Sequence, residues 1–141
     1  AGYPVDDLKI NLLDGLYHEV DSNEQAFKIV GNMATRQVLA KAGAVLLEPV
    51  MDIEVVSPEE YIGDIMADLN ARRGKILGFK ESRDSRLVTA TVPLAETFGY
   101  ATALRSASQG RASFSMHIKN YAVVPSSKSR EIIARRYGLP V

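Results

Sequence analysis

Cysteine is absent from these 141 residues. That absence excludes disulfides, thiolate zinc sites and cysteine nucleophiles, and it fits a reducing compartment. No apolar run approaches the ~20 residues of a transmembrane helix, and the N-terminus shows no signal-peptide pattern. The expectation is a cytoplasmic chain without membrane contact. Histidine is scarce as well, with only His18 and His117. Neither has a partner at a spacing that suggests a triad or a metal site. No G-x-x-x-x-G-K-[ST] run occurs, so no nucleotide phosphate cradle is visible. Internal repeats and low-complexity tracts are missing too. Ala1-Gly2-Tyr3-Pro4 lacks an initiator Met and reads as a start within a longer protein. No catalytic residue, metal ligand or cofactor is therefore assigned, and the expected function is binding.

What is present suits a soluble globular protein. Apolar residues make up 46% and charged residues 24%, both ordinary values. The length gives room for one domain plus part of another. A net charge of zero hides an asymmetry. Residues 1–44 carry −2 and residues 45–78 carry −4, whereas residues 79–125 and 126–141 each carry +3. The C-terminal half is the side for a polyanionic partner. The competing reading is a solvated surface of mixed charge.

The first segment predicts a hairpin and a helix. Leu8, Ile10 and Leu12 alternate with Lys9 and Asn11, which is strand periodicity. Asp14-Gly15 supplies a turn, because both positions tolerate positive φ, and Leu16 to Val20 would return. Ser22 offers an N-cap with Gln25 as its reciprocal partner. Ala26, Ile29, Val30 and Met33 form one apolar stripe, and Gly43 stops the helix. Such a core is thin, so the segment needs a partner for its apolar face. Its open sheet edge also leaves room for a dimer or a domain swap.

The second segment is more complete. Met51, Ile53 and Val55 alternate with Asp52 and Glu54 as a half-buried strand. Ser57-Pro58-Glu59-Glu60 reads as a capped helix start. Ile62, Ile65, Met66 and Leu69 form the buried stripe, and Arg72, Arg73 and Gly74 close the helix. Lys75 to Arg83 and Arg86 to Val92 read as strands joined by Asp84-Ser85. Leu94, Phe98, Ala101 and Leu104 recur at helical spacing up to Gly110. A last strand places Ala112, Phe114, Met116 and Ile118 on one face and Ser113, Ser115, His117 and Lys119 on the other. The order β-α-β-β-α-β is the split βαβ, or ferredoxin-like, arrangement: an α+β fold with an antiparallel sheet and two helices on one face. The boundary between segments falls near Gly43 to Pro49. Beyond Pro125, Ile132, Ile133 and Tyr137 suggest a short amphipathic helix.

The acidic residues have structural explanations. Glu59 and Glu60 suit the first turn of a helix, and Asp64 and Asp68 lie one turn apart on a solvated face. Folds of this kind often bind RNA by stacking bases on aromatics of the open sheet face. Here that face would show Asp52, Glu54, Thr89, Thr91, Ser113, Ser115 and His117, so stacking is not expected. Contacts with nucleic acid would come from Arg72, Arg73, Lys75, Arg105 and Arg111, placed at helix ends and loops to touch phosphates. Gly74 and Gly110 would let a backbone approach closely. Against this stands the reading in which the arginines only cap helices and the glycines only stop them.

Three long runs carry a family resemblance: YHEVDSNEQAFKIVGNMA (Tyr17 to Ala34), LLEPVMDIEVVSPEEYIGDIMADLNARRGKILG (Leu46 to Gly78) and VPLAETFGYATALRSASQGRASFSM (Val92 to Met116). They resemble the C-terminal part of translation elongation factor G. The resemblance implies that residues 1–44 correspond to the end of the factor's fourth domain, with a partial ribosomal-S5-domain-2-like hairpin and helix. Residues 45–125 correspond to its ferredoxin-like fifth domain, and residues 126–141 form a tail outside the family pattern. It further implies an intact GTPase that promotes translocation of tRNA and mRNA, with GTP and Mg held by domains not seen in this sequence. The partners it implies are the ribosome and large-subunit rRNA, at the sarcin-ricin loop and the stalk base. Carried over by position, Arg72, Arg73, Gly74, Gln109, Gly110 and Arg111 become candidates for rRNA contact; Lys75 and Arg105 join them from their own placement.

Two departures stand beside that resemblance. The tail from Ser126 lies outside the family pattern, and the turn Lys80 to Arg86 matches it weakly. Paralogues acting in ribosome recycling or in protection from tetracycline share these domains, and a stand-alone ferredoxin-like regulatory module is a third reading.

Overall fold

Met51, Ile53 and Val55 alternate with Val88, Ala90 and Val92 across neighbouring strands, and this pairing makes the centre of the core. The computed structural model describes residues 2–82 and 84–138. The chain divides into two compact units, Leu46–Pro125 and a second that joins Ala1–Val45 with Ser126–Val141.

Within Leu46–Pro125 the elements are β1 (Leu47–Ser57), α2 (Ile62–Ala71), β2 (Lys75–Ser82), β3 (Ser85–Pro93), α3 (Tyr100–Ala107) and β4 (Ser113–Val123). The four strands form one antiparallel sheet in the order β2-β3-β1-β4. That is the split βαβ arrangement read from the sequence, with the expected strand and helix order. Ile65 and Leu69 of α2, with Tyr100 and Leu104 of α3, bury against the central strands. Tyr100 also meets Phe114 edge to face, with ring centroids 5.0 Å apart. Arg83, the expected end of the second strand, lies outside the described residues.

Several local expectations change. Ser57 does not cap α2: it ends β1, is 1% exposed, and donates its hydroxyl to Pro58 O at 3.2 Å. A 3-10 turn over Glu59–Tyr61 intervenes before α2 begins at Ile62. The helical stripe through Phe98 is also displaced. Leu94–Glu96 forms a 3-10 turn, Gly99 adopts φ 76°, and α3 starts only at Tyr100. Tyr100 and Leu104 take the core positions, leaving Phe98 78% exposed. On β4, register pairs Phe114, Met116 and Ile118 with the core-facing Val55, Ile53 and Met51. Met116 and Ile118 nevertheless stay 38% and 56% exposed, because an edge strand lies beyond the cover of the helices.

The other unit holds α1 (Glu24–Lys41) and α4 (Ser126–Tyr137). The expected hairpin over Leu8 to Val20 does not form, and residues 2–22 contain no strand. Gly15 N–H instead bonds the Asp14 side chain at 2.7 Å. Leu12, Leu13 and Leu16 are each at least 90% exposed. A lone two-stranded hairpin with nothing to cover its apolar face is marginal in water. Ser22 accepts from His18 N–H at 2.7 Å, while Asn23 caps α1 through Oδ1 to Ala26 N–H at 2.8 Å. Ser22 and Gln25 thus do not form the expected capping pair. The stripe Ile29, Val30 and Met33 is present and remains exposed.

Candidate nucleic-acid interface

Two helix ends carry the candidate residues, and both are built on the same backbone device. At the end of α2, Gly74 N–H reaches back to Leu69 O at 2.8 Å and Arg73 N–H to Asn70 O at 3.1 Å. This is the paired closure in which the residue after the helix turns left-handed. Arg73 takes that conformation, with φ 61°. Gly74 is required for a different reason: a Cβ there would lie 2.4 Å from Leu69 O. At the end of α3, Gly110 N–H reaches Arg105 O at 2.9 Å, and Gln109 and Gly110 are left-handed at φ 52° and 79°. Arg-Gly-Lys and Gln-Gly-Arg thus share the return bond and a left-handed first residue, and differ at the glycine, which is left-handed only in the second.

Side chains at the first end are committed inward. Arg72 Nε donates to Asp68 at 2.9 Å, and its Nη1 to Glu96 O at 2.7 Å and Phe98 O at 3.3 Å. Its guanidinium lies 5.3 Å from the Tyr100 ring centroid. Arg73 grips Glu48 with two bonds, at 3.2 and 2.5 Å, and approaches Glu96 at 3.6 Å. Its hydrogen bond with the Glu48 carboxylate raises the Arg73 pKa above its ordinary value, against the opposing effect of burial. Glu48 is itself 9% exposed, so each charge neutralises the other in a poorly hydrated place. Lys75, which starts β2, pairs in register with Thr91, and Thr91 in turn pairs with Asp52. Lys75 thereby joins the open sheet face.

That face is polar, as expected. Asp52 holds Lys119 at 2.9 Å and lies 4.0 Å from His117. Glu54 pairs in register with Thr89 and Ser115. No aromatic stands at these positions for a base to stack on.

At the second end Arg111 forms an ion pair with Glu60 and lies 5.7 Å from the Tyr61 ring centroid, while staying 57% exposed. Lys75 and Arg105 make no salt bridge among the described residues. The eight candidates do not meet in one patch. Arg73 is tied to Glu48 at the start of β1, whereas Ser113, beside Arg111, pairs with Val56 near its end. The strand between them spans about 26 Å at ~3.3 Å per residue. Sequence reasoning gave Glu48 no role. A carboxylate just before an apolar strand carries no signal of its own for an arginine 25 residues later. Among the described residues, no group of three or more His, Asp and Glu side chains could hold a metal ion.

A split βαβ sandwich with a charged helix exit at each end of its sheet defines the class of this chain as an α+β module of ferredoxin-like topology. The family model described as "Elongation factor G C-terminus" matches residues 45–132, and that described as "Elongation factor G, domain IV" matches residues 1–43. The chain belongs to the elongation factor G family. It is 66% identical over 141 residues to "Elongation factor G 2" of Syntrophomonas wolfei, covering all of this chain and 20% of that protein. A solved structure from Thermus thermophilus superimposes with a TM-score of 0.74 at 39% identity, covering 90% of this chain and 19% of the other. The chain thus spans about one fifth of the length of these relatives.

Proposed function

We propose that this chain is a ribosome-binding region of an elongation factor G, acting by contact with large-subunit rRNA. The parent factor is then a cytoplasmic GTPase that promotes translocation of tRNA and mRNA, with GTP and Mg bound in its other domains. Residues 1–44 belong to its fourth domain, residues 45–125 form its fifth, and residues 126–141 form a tail. One observation carries this reading: two consecutive family models from the same factor account for the chain almost end to end.

The contacts divide between the two poles. Lys75 serves one pole, and Arg105, Gln109, Gly110 and Arg111 serve the other. Arg72, Arg73 and Gly74 act on the first pole mainly by fixing its shape, since both guanidinium groups already hold internal partners. The targets implied by the resemblance, the sarcin-ricin loop and the stalk base, would occupy the two separated sites.

Co-sedimentation with purified ribosomes across a salt series tests this. Each phosphate contact contributes roughly 0.7–0.9 to the slope of log affinity against log salt. Binding that falls with salt and is competed by intact factor G supports the reading. A double change, Lys75→Glu with Arg105→Glu, should flatten the slope. A chain that stays in the supernatant at low salt refutes it.

A further inference from the structure

A shallow groove of about 350 Å³ separates α2 from the edge strand β2. Ile62, Met66 and Phe79 form its apolar lining, with Gly63 on the helix side. Phe79 pairs in register with the fully buried Val88, so it points to the core side of the sheet. It remains 63% exposed there. Glu59, Glu81 and Arg86 make the rim. Both carboxylates pair with the one guanidinium, leaving an excess of one negative charge. Glu59 and Glu81 are 77% and 71% exposed, so each keeps oxygen surface facing water.

Gly63 is the second observation. Nothing lies within 4 Å of where its Cβ would stand, and its φ is not left-handed. Neither space nor backbone conformation calls for glycine, which weakens a helix relative to alanine. What glycine does supply is open volume beside Met66 and Phe79.

We infer that this groove receives a protein segment that presents an aliphatic or aromatic side chain next to a lysine or arginine. The apolar side chain displaces water from Ile62, Met66 and Phe79, and the cation meets the free oxygens of Glu59 and Glu81. A phosphate backbone is disfavoured by the same negative rim. This rests on the ribosome-binding reading for the partner's source: the segment belongs to a protein of the particle and not to its RNA.

Two arms test the groove and its source separately. In the first, the methyl signals of Ile62 and Met66 are followed by NMR while acetyl-Lys-Leu-Arg-Phe-Lys-amide or acetyl-Glu-Leu-Gln-Phe-Glu-amide is added to the whole chain. The basic peptide should shift them and the acidic one should not. Gly63→Leu should fill the groove and weaken the basic peptide ~tenfold, about what one buried anchor supplies, with an unchanged or higher unfolding temperature. Glu81→Lys, at an exposed position, should reverse the preference between the peptides even if the leucine variant folds poorly. Equal binding of both peptides, or no loss in either variant, overturns the inference. In the second arm, p-benzoylphenylalanine replaces Phe79 and is photolysed on purified ribosomes. Crosslinks to a ribosomal protein are expected, and crosslinks confined to rRNA overturn the assignment to protein. Failure of the unmodified chain to pellet with ribosomes refutes the ribosomal source alone, and the peptide arm still decides the groove.

Discussion

Arg73→Gly sets two opposed effects against each other at one position. Arg73 holds φ 61°, a left-handed conformation in which a side chain costs about 1–2 kcal/mol. Glycine would remove that cost. The same change deletes both bonds to Glu48, whose side chain is only 12% exposed. Leaving a buried carboxylate unpaired costs about 3–5 kcal/mol when burial is complete. Here some hydration remains, so the lower end of that range applies. The difference leaves Arg73→Gly less stable by about 1–2 kcal/mol, a fall in unfolding temperature of roughly 4–16 °C for a small domain. Urea denaturation followed by circular dichroism measures it. The sharper assay is a double-mutant cycle with Glu48→Gln, which removes the charge that arginine serves. In that background Arg73→Gly should cost little or even stabilise, because relief of the backbone then dominates. If Arg73→Gly is as stable as the parent chain while Glu48 is intact, the ion pair contributes less than the strain it accompanies, and the argument fails.

Three further outcomes follow from single features. Tyr100 OH is buried with no hydrogen-bond partner among the described residues, and burial raises its pKa to about 12. Its folded pKa lies above the unfolded value of about 10. The linked stability is therefore present below pH 10 and is lost as pH rises from 10 towards 12. Tyr100→Phe should equal or exceed the parent in stability at neutral pH, and thermal melts between pH 9 and about pH 12 should show a smaller alkaline loss; an unchanged alkaline profile would sink this. Gly74→Ala should cost about 2 kcal/mol or more, since a Cβ 2.4 Å from Leu69 O forces the backbone to move; stability equal to the parent in urea would contradict it. Asn23→Ala should remove about 1 kcal/mol from α1 by deleting the bond to Ala26 N–H, read as lost helical signal at 222 nm by circular dichroism.

The arrangement of Leu46–Pro125 was legible because each element is marked locally. Ile53 and Val55 alternate, Ile65 and Leu69 recur at helical spacing, and a glycine stands just past each helix. Elements whose formation depends on distant cover were not legible. Leu8 to Val20 has strand periodicity and a turn, yet a strand needs a neighbour and periodicity does not supply one. Phe98 fits a helical stripe by spacing, but Gly99 adopts φ 76° and resets the helix at Tyr100. Ser57-Pro58-Glu59-Glu60 has the pattern of a cap. The extended β1 runs through Ser57, however, and buries the hydroxyl meant to cap. The separation of the candidates follows from the topology and not from their local pattern. In a split βαβ fold the two crossover helices leave from opposite ends of the sheet, so their exits are at opposite poles. Sequence order places Arg73 and Gln109 in equivalent positions and says nothing of that distance.

The same equivalence decides which residues can separate fold from function. Arg72, Arg73 and Gly74 each have a sufficient structural reason to be what they are: a clamp on the loop before α3, a buried ion pair, and a backbone approach that excludes a Cβ. Loss of ribosome binding after changing any of them would follow from a deformed helix exit as readily as from a lost phosphate contact. Lys75 and Arg105 hold no salt bridge among the described residues, so changing their charge breaks no ion pair of the fold. Charge reversal at these two should leave the unfolding temperature within about 2–4 °C of the parent, as expected for surface changes of roughly 0.5 kcal/mol. Reduced ribosome affinity at that preserved stability would assign the contact to charge. Preserved affinity would remove Lys75 and Arg105 from the contact and leave the exposed Arg111 as the remaining basic candidate, whatever Arg72 and Arg73 variants show.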